Sequence, residues 1–247
     1  MRVRAGRAAT PVGVVLVDKP AGPSSFALVA ALRRRTGART GHAGTLDPFA
    51  TGLLLCLSGA ATRLAPCFVG LDKRYLVELD LTATTRTGDL EGEELERHDP
   101  PAWEELERRL AGLRGLVRLP VPAASAVKVG GERAYRLARR GVAVELPVRP
   151  MRILELEPVE YAPTGALRLE LLVGSGTYVR SIAAALGGHC TALRRTAVGP
   201  FGVEEAGAEG ERWLTAAAAL ARLPDEARAR VPAAIRERAL ALEAGTR

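Results

Sequence analysis

The spacing of apolar and polar positions assigns most of the elements of this chain. Residues 13 to 18 form an apolar run that reads as a strand, ending in Asp18-Lys19-Pro20-Ala21-Gly22-Pro23. Ser24 or Ser25 can then cap a helix carrying Phe26, Val29 and Leu32. From Tyr75 to Leu81, Tyr75, Val77, Leu79 and Leu81 alternate with polar neighbours that include Glu78 and Asp80. Leu167, Leu169, Leu171 and Val173 alternate in the same way around Arg168 and Glu170, so both segments predict half-buried strands. Between them, Trp103, Leu106, Leu110 and Leu113 recur at helical spacing behind Pro100-Pro101, with Glu104, Glu107 and Arg108 outward. The alanine- and arginine-rich stretch after residue 210 shows a helical pattern from Trp213 to Leu223 and a break at Pro224, and promises little core. No internal repeat or long low-complexity linker interrupts the chain, so the economical description is one mixed α/β (α+β) domain over residues 1–210 and a short helical extension over 211–247.

Composition narrows the setting. With 247 residues and 47% apolar content the chain can bury a sizeable core. Its +7 formal charge favours a polyanionic partner such as nucleic acid. Part of that charge reflects a bias toward arginine, since only Lys19, Lys73 and Lys128 are lysines. Cys56, Cys67 and Cys190 form no disulfide framework and fit a reducing cytoplasm. His42, His98 and His189 lack the paired spacing of zinc ligands, so no metal is expected. The apolar run after Arg2, Arg4 and Arg7 is too short for a signal segment, and no stretch reaches membrane-spanning length.

The segment with most chemistry is GHAGTLDPFATG, Gly41 to Gly52, where three glycines, two threonines and a proline surround one carboxylate, Asp47. Pro48 disfavours helical geometry at Asp47, which predicts an extended turn with the side chain projecting. A reactive carboxylate and a carboxylate that merely closes an Asx turn both fit this composition.

The longer run GHAGTLDPFATGLLLCLSGAATRL closely resembles the catalytic signature of the TruB family of pseudouridine synthases. Three further blocks resemble that family in the same order: VDKPAGPSS, DKRYLVELDLTATTRTGDLEG from Asp72 to Gly92, and GSGTYVRSIAAALG from Gly174 to Gly187 followed by LRRTAVGPF. Together they cover roughly residues 13 to 205. The resemblance implies the pseudouridine synthase fold, a mixed, mainly antiparallel sheet flanked by helices. It also implies isomerisation of the uridine at position 55, in the T-arm loop of tRNA, without cofactor or metal, by a cytoplasmic monomer. Within it Asp47 falls on the nucleophilic aspartate, Tyr75 on the tyrosine stacked against the target base, and Arg180 on the arginine that pairs with the aspartate. Tyr178 and Leu193 fall on pocket residues, and His42 on the histidine that fills the space of a flipped base.

These roles agree with general chemistry. One carboxylate can serve as nucleophile toward ribose or toward the base, an arginine keeps a buried carboxylate charged better than a less oriented lysine, and a base flipped from its loop gains from an aromatic face. Lys19, Lys73, Arg74, Lys128, Arg133, Arg136, Arg139 and Arg140 read as contacts to the RNA backbone. The block Pro122 to Gly141 carries Ala124 where the family has a tyrosine, while Ser125, Lys128, Gly131, Arg133 and Tyr135 match. The tail shows too few strand patterns for the small RNA-binding PUA domain that many members append. A non-catalytic tRNA-binding or refolding protein would share the charge and the backbone-contact blocks, but would not need Asp47, Tyr75 and Arg180 together. A glycoside or nucleoside hydrolase would need a second acid that the matched segments do not offer.

Overall fold

The computed structural model describes residues 12–245, except 126, 135–139 and 141–144. The chain divides into two compact units, one formed by residues 1–72 with 194–247, the other by residues 73–193.

The first unit opens with β1 (Gly13–Lys19), whose side chains are buried along nearly its whole length. The helix α1 (Ser25–Thr36) follows, capped by Ser24, whose Oγ accepts from the Ala27 amide at 3.2 Å. Ser25, Val29 and Leu32 form its buried face, whereas Phe26, expected on that face, is 75% exposed because it lies one residue off the stripe. Next come β2 (Thr40–His42) and β3 (Thr51–Ser58), and β3 runs antiparallel to both β1 and β2. The register sets Lys19 opposite Gly52 and His42 opposite Cys56, so the chain between β2 and β3 leaves and re-enters the sheet beside the end of β1. The short helix α2 (Ala65–Val69) places Cys67 and Phe68 in the core.

In the second unit, β4 (Lys73–Asp80) alternates as its sequence requires, with Lys73, Tyr75, Val77 and Leu79 buried. A hairpin of β5 (Ala83–Thr85) and β6 (Glu94–Arg97) precedes α3 (Trp103–Gly112), which buries Leu106 and Leu110 as its spacing predicts. Trp103 stays 42% exposed and lies against Tyr161 with ring centroids 6.1 Å apart. The strands β7 (Gly115–Pro120), β10 (Val148–Tyr161) and β11 (Ala166–Val173) continue the antiparallel sheet in the order β4, β11, β10, β7, and the small hairpin of β8 (Lys128–Val129) and β9 (Glu132–Arg133) stands apart from it. The helix α4 (Val179–Ala185) completes the unit.

The chain returns to the first unit along β12 (His189–Val198), whose Arg194 and Arg195 pair parallel with Thr51 and Gly52 of β3. After β13 (Phe201–Gly202), β14 (Glu211–Leu214) adds an antiparallel edge to β1. The tail then forms α5 (Ala216–Ala221), α6 (Asp225–Arg228) and α7 (Ala233–Ala244). The sequence promised little core here, yet Ala216, Ala219, Leu220, Leu223, Ala227, Val231 and Ala239 join Leu53, Leu55, Phe68 and Phe201 in one buried cluster. Alanine gives helices little visible periodicity, but its small side chain lets backbones approach closely. Glu243 is buried and accepts from the Ala216 amide at 2.8 and 3.0 Å, so α7 caps the start of α5. Among the described residues no helix is long and apolar enough to cross a membrane.

Glu205 ties the return segment together. It accepts a two-pronged bond from Arg222, both contacts at 2.7 Å, and one from the Gly202 amide at 3.0 Å. The Arg222 hydrogen bonds, against an opposing contribution from burial, hold its carboxyl below the usual glutamate range. A depressed folded value means the stabilisation is fully present above the unfolded pKa and disappears as pH falls through the folded one. Glu205→Gln is therefore expected to cost about 1–3 kcal/mol at neutral pH, with the gap to the unaltered chain closing on acidification. Urea denaturation of both proteins at neutral and acid pH measures it.

Candidate active site

The loop between β2 and β3 is built to hold Asp47 still. The Asp47 carbonyl accepts from the Ala50 amide at 3.2 Å, which closes a β-turn over Pro48 and Phe49. On one flank, Ser25 Oγ accepts from the Leu46 amide at 2.8 Å and donates to the Leu46 carbonyl at 2.9 Å. On the other, the Pro48 carbonyl accepts from the Gly22 amide at 2.8 Å and from Lys19 Nζ at 3.0 Å. Lys19 Nζ also donates to Ala50 O at 2.6 Å and to Pro20 O at 2.8 Å. Both neighbours of Asp47 are thus clamped by the segment from Lys19 to Ser25, which joins the VDKPAGPSS and GHAGTLDP blocks in space.

Lys19 corrects an expectation. Expected to contact the RNA backbone, it is instead fully buried with its ammonium engaged by three carbonyls, because its place at the end of β1 aims it under the loop. Burial pulls its pKa down, and the nearby Asp47 carboxylate pulls in the opposite direction. His42, where β2 enters the loop, is half-buried. Its Nδ1 has no hydrogen-bond partner among the described residues. Burial, then the charge of Arg195, lowers the His42 pKa and favours a neutral ring.

The second unit organises Arg180. This residue lies in the first turn of α4, is 4% exposed, and donates from Nη1 to Thr87 O at 2.7 Å and from Nη2 to Ala124 O at 2.9 Å. Its Nη1 is also 3.5 Å from Asp89 Oδ2, and Asp89 is as buried as the arginine. The other Asp89 oxygen accepts from Thr87 Oγ1 at 2.5 Å and from the Glu91 amide at 3.1 Å. Gly88 makes the approach possible: its φ is +75°, and a Cβ there would lie 3.1 Å from the Arg180 Cβ. Ala124 contributes its carbonyl, so the missing tyrosine side chain does not touch this bond. Asp89 lies inside the TRTGDLEG block, where its local pattern alone does not mark it as a site residue. A glycine-aspartate pair behind two threonines was the available signal.

Tyr75 is 7% exposed on the inward face of β4, opposite Leu171 of β11. Tyr178 precedes α4 and packs on the cluster of Val121, Val127 and Met151, while Leu193 is buried. Lys73 also departs from expectation: strand alternation turns it inward to 6% exposure, where it cannot display charge to RNA. Its neighbour Arg74 points outward and pairs with Glu155 at 2.7 Å. Lys128 is exposed on the β8–β9 hairpin, and Arg140 forks onto Glu132 at 2.6 and 2.8 Å. Tyr135, Arg136, Arg139 and the side chain of Arg133 lie outside the described residues.

No group of three or more His, Cys, Asp or Glu among the described residues could hold a metal ion. His189 Nδ1 lies 2.9 Å from Ala83 O, and the two ring nitrogens of His98 lie 3.0 and 2.9 Å from Asp99 O and Gly187 O. The three cysteines are buried and form no disulfide among the described residues, and burial pushes the Cys56 thiol up to about 12.

Residues 33–179 match the family described as TruB family pseudouridylate synthase (N terminal domain). The chain belongs to this family. A tRNA pseudouridine synthase B of Synechococcus sp. is 47% identical over 196 residues, covering 75% of this chain and 65% of the relative. One from Thermobifida fusca is 44% identical over 210 residues, covering 78% and 72%. The chain thus spans about two thirds of the length of these curated relatives. Among solved structures, a chain of a Cbf5-Nop10-Gar1 complex superposes with a TM-score of 0.59 at 26% identity, covering 80% of this chain and 52% of that one. A chain from an H/ACA RNP bound to a substrate RNA containing 2'-deoxyuridine gives 0.56 at 25% identity, covering 78% and 50%. The fold expected from the TruB resemblance, a mixed and mainly antiparallel sheet with flanking helices, is the one observed.

Proposed function

We propose that this chain is a tRNA pseudouridine synthase that isomerises the uridine at position 55, in the T-arm loop, with Asp47 as nucleophile. The observation that carries the reading is the clamped Asp47 turn, in which hydrogen bonds to Leu46 and Pro48 fix the backbone on both sides of one carboxylate. Preorganisation of this kind is what a nucleophile needs, since a reacting group misplaced by about 1 Å can lose on the order of 10²-fold in rate. Curated relatives at 44–47% identity carry the name tRNA pseudouridine synthase B, and this favours tRNA over a guide-directed RNA as substrate.

In this reading the bond from ribose C1' to uracil N1 breaks, and C1' bonds to C5 of the same base. The C5 proton leaves and a proton goes to N1, so atoms and electrons balance without a cofactor. Tyr75 offers the flipped base an aromatic face and a phenol for the C5 proton. Arg180 supplies positive charge, and Tyr178 and Leu193 shape the pocket. His42, neutral and with an unused ring nitrogen, suits insertion into the base stack where the uridine was. Lys128 and Arg133 serve as backbone contacts in this reading, and the burial of Lys19 and Lys73 speaks against that role for them.

The test is incubation of the purified chain with an unmodified tRNA transcript, followed by carbodiimide-dependent primer extension. A stop at the T-loop uridine is the expected result. Release of free uracil would indicate a hydrolase, and tRNA binding without product would favour the refolding protein.

A further inference from the structure

The buried Arg195 has no place in the proposed reaction, although its hydrogen bonds set it against the loop that carries Asp47. It is 1% exposed, and its described hydrogen bonds all go to carbonyls: Nε to Leu53 O at 2.7 Å, Nη1 to Thr45 O at 3.3 Å and Nη2 to Gly44 O at 3.1 Å. It forms no ion pair among the described residues. A buried cation without a counter-ion is costly unless its donors are satisfied, so these oxygens are what make the site tolerable. They come from both limbs of the loop: Gly44 and Thr45 before Asp47, and Leu53 after it, on β3.

The backbone is shaped for the same purpose. Arg195 pairs with Gly52, whose φ is +101° and where a Cβ would sit 2.2 Å from the Arg195 carbonyl oxygen. No side chain other than hydrogen fits there, so the final glycine of the GHAGTLDPFATG segment is where β12 closes onto the loop. Lys19 grips the turn at Pro48 and Ala50. Arg195 sets the spacing between the limbs that carry the turn. A planar fork with fixed donor directions can do this, and the single ammonium of a lysine cannot.

We infer that Arg195 is a positioning residue, whose guanidinium locks the Gly44–Thr45 limb against β3 and thereby fixes where the Asp47 carboxylate stands. The inference rests on the reading of Asp47 as nucleophile. In the full chain, Arg195→Lys keeps the charge and loses the fork, and Arg195→Gln keeps part of the donor set and loses the charge. Expected for Arg195→Lys are cooperative unfolding, tRNA affinity within about threefold, and a single-turnover rate at least about 10-fold lower. Amide exchange should speed up over residues 43–50 while β1 and β11 stay protected. A normal rate in Arg195→Lys would overturn the inference. So would a rate loss that merely follows the folded fraction with protection lost throughout, or failure of both variants to fold. If the unaltered chain makes no pseudouridine, the functional reading fails instead, and localised exchange over residues 43–50 still reports whether Arg195 sets the loop.

Discussion

Asp47→Asn is expected to reduce pseudouridine formation to background, a loss of about 10⁴-fold or more in single-turnover rate, while tRNA binds nearly as before. Asparagine has the size of aspartate but no nucleophilic oxygen, so any route through covalent attack closes. A loss of that size corresponds to roughly 5.5 kcal/mol or more of barrier. The fold should not suffer, because the turn is held by Ser25, Gly22 and Lys19 through the backbone of Leu46, Pro48 and Ala50. The measurement pairs rapid-quench turnover with filter binding and a thermal melt. A variant that loses binding and melting temperature together with turnover would make Asp47 a structural residue. A variant that still modifies tRNA at more than a few per cent of the normal rate would move the nucleophile elsewhere.

How far the sequence reveals such a site depends on how local the causes are. The alternation from Tyr75 to Leu81 and from Leu167 to Val173 is written residue by residue, and β4 and β11 pair as those patterns require. The helix at Trp103 and the turn at Asp47-Pro48 are local in the same sense. Buried cations are hidden from the sequence for the opposite reason. A lysine near a motif looks like a phosphate contact until the strand register shows which way it faces, and Lys19 and Lys73 face inward. Arg195 and Asp89 act on groups far away in the chain. Arg195 bonds a carbonyl 150 positions back, and Arg180, the partner of Asp89, bonds one 93 positions back. No spacing rule links such residues, and only the family resemblance drew Arg180 into the site. The core of the tail is invisible in the sequence because alanines look uninformative until neighbouring helices close on them.

Arg180 separates stability from chemistry in a way that one variant alone cannot. Arg180→Met leaves Asp89 buried with a charge that has lost its nearest described guanidinium, and breaking a buried pair from one side costs about 3–5 kcal/mol. The Thr87 and Ala124 carbonyls lose their donors as well. Turnover should fall by about 10²-fold or more, and the urea midpoint should fall with it. Adding Asp89→Asn removes the stranded charge while the Thr87 hydroxyl and the Glu91 amide still have an oxygen to bond. The double variant is therefore expected to regain on the order of 1–3 kcal/mol of stability relative to Arg180→Met, as coupled partners do in a double-mutant cycle. Its turnover should stay low, since the positive charge proposed to serve the reaction is still missing. If turnover returned together with stability, Arg180 would be a folding residue with no part in the chemistry. If stability did not return, the 3.5 Å contact between Arg180 and Asp89 would carry no measurable energy, and the bonds to the Thr87 and Ala124 carbonyls would not depend on it.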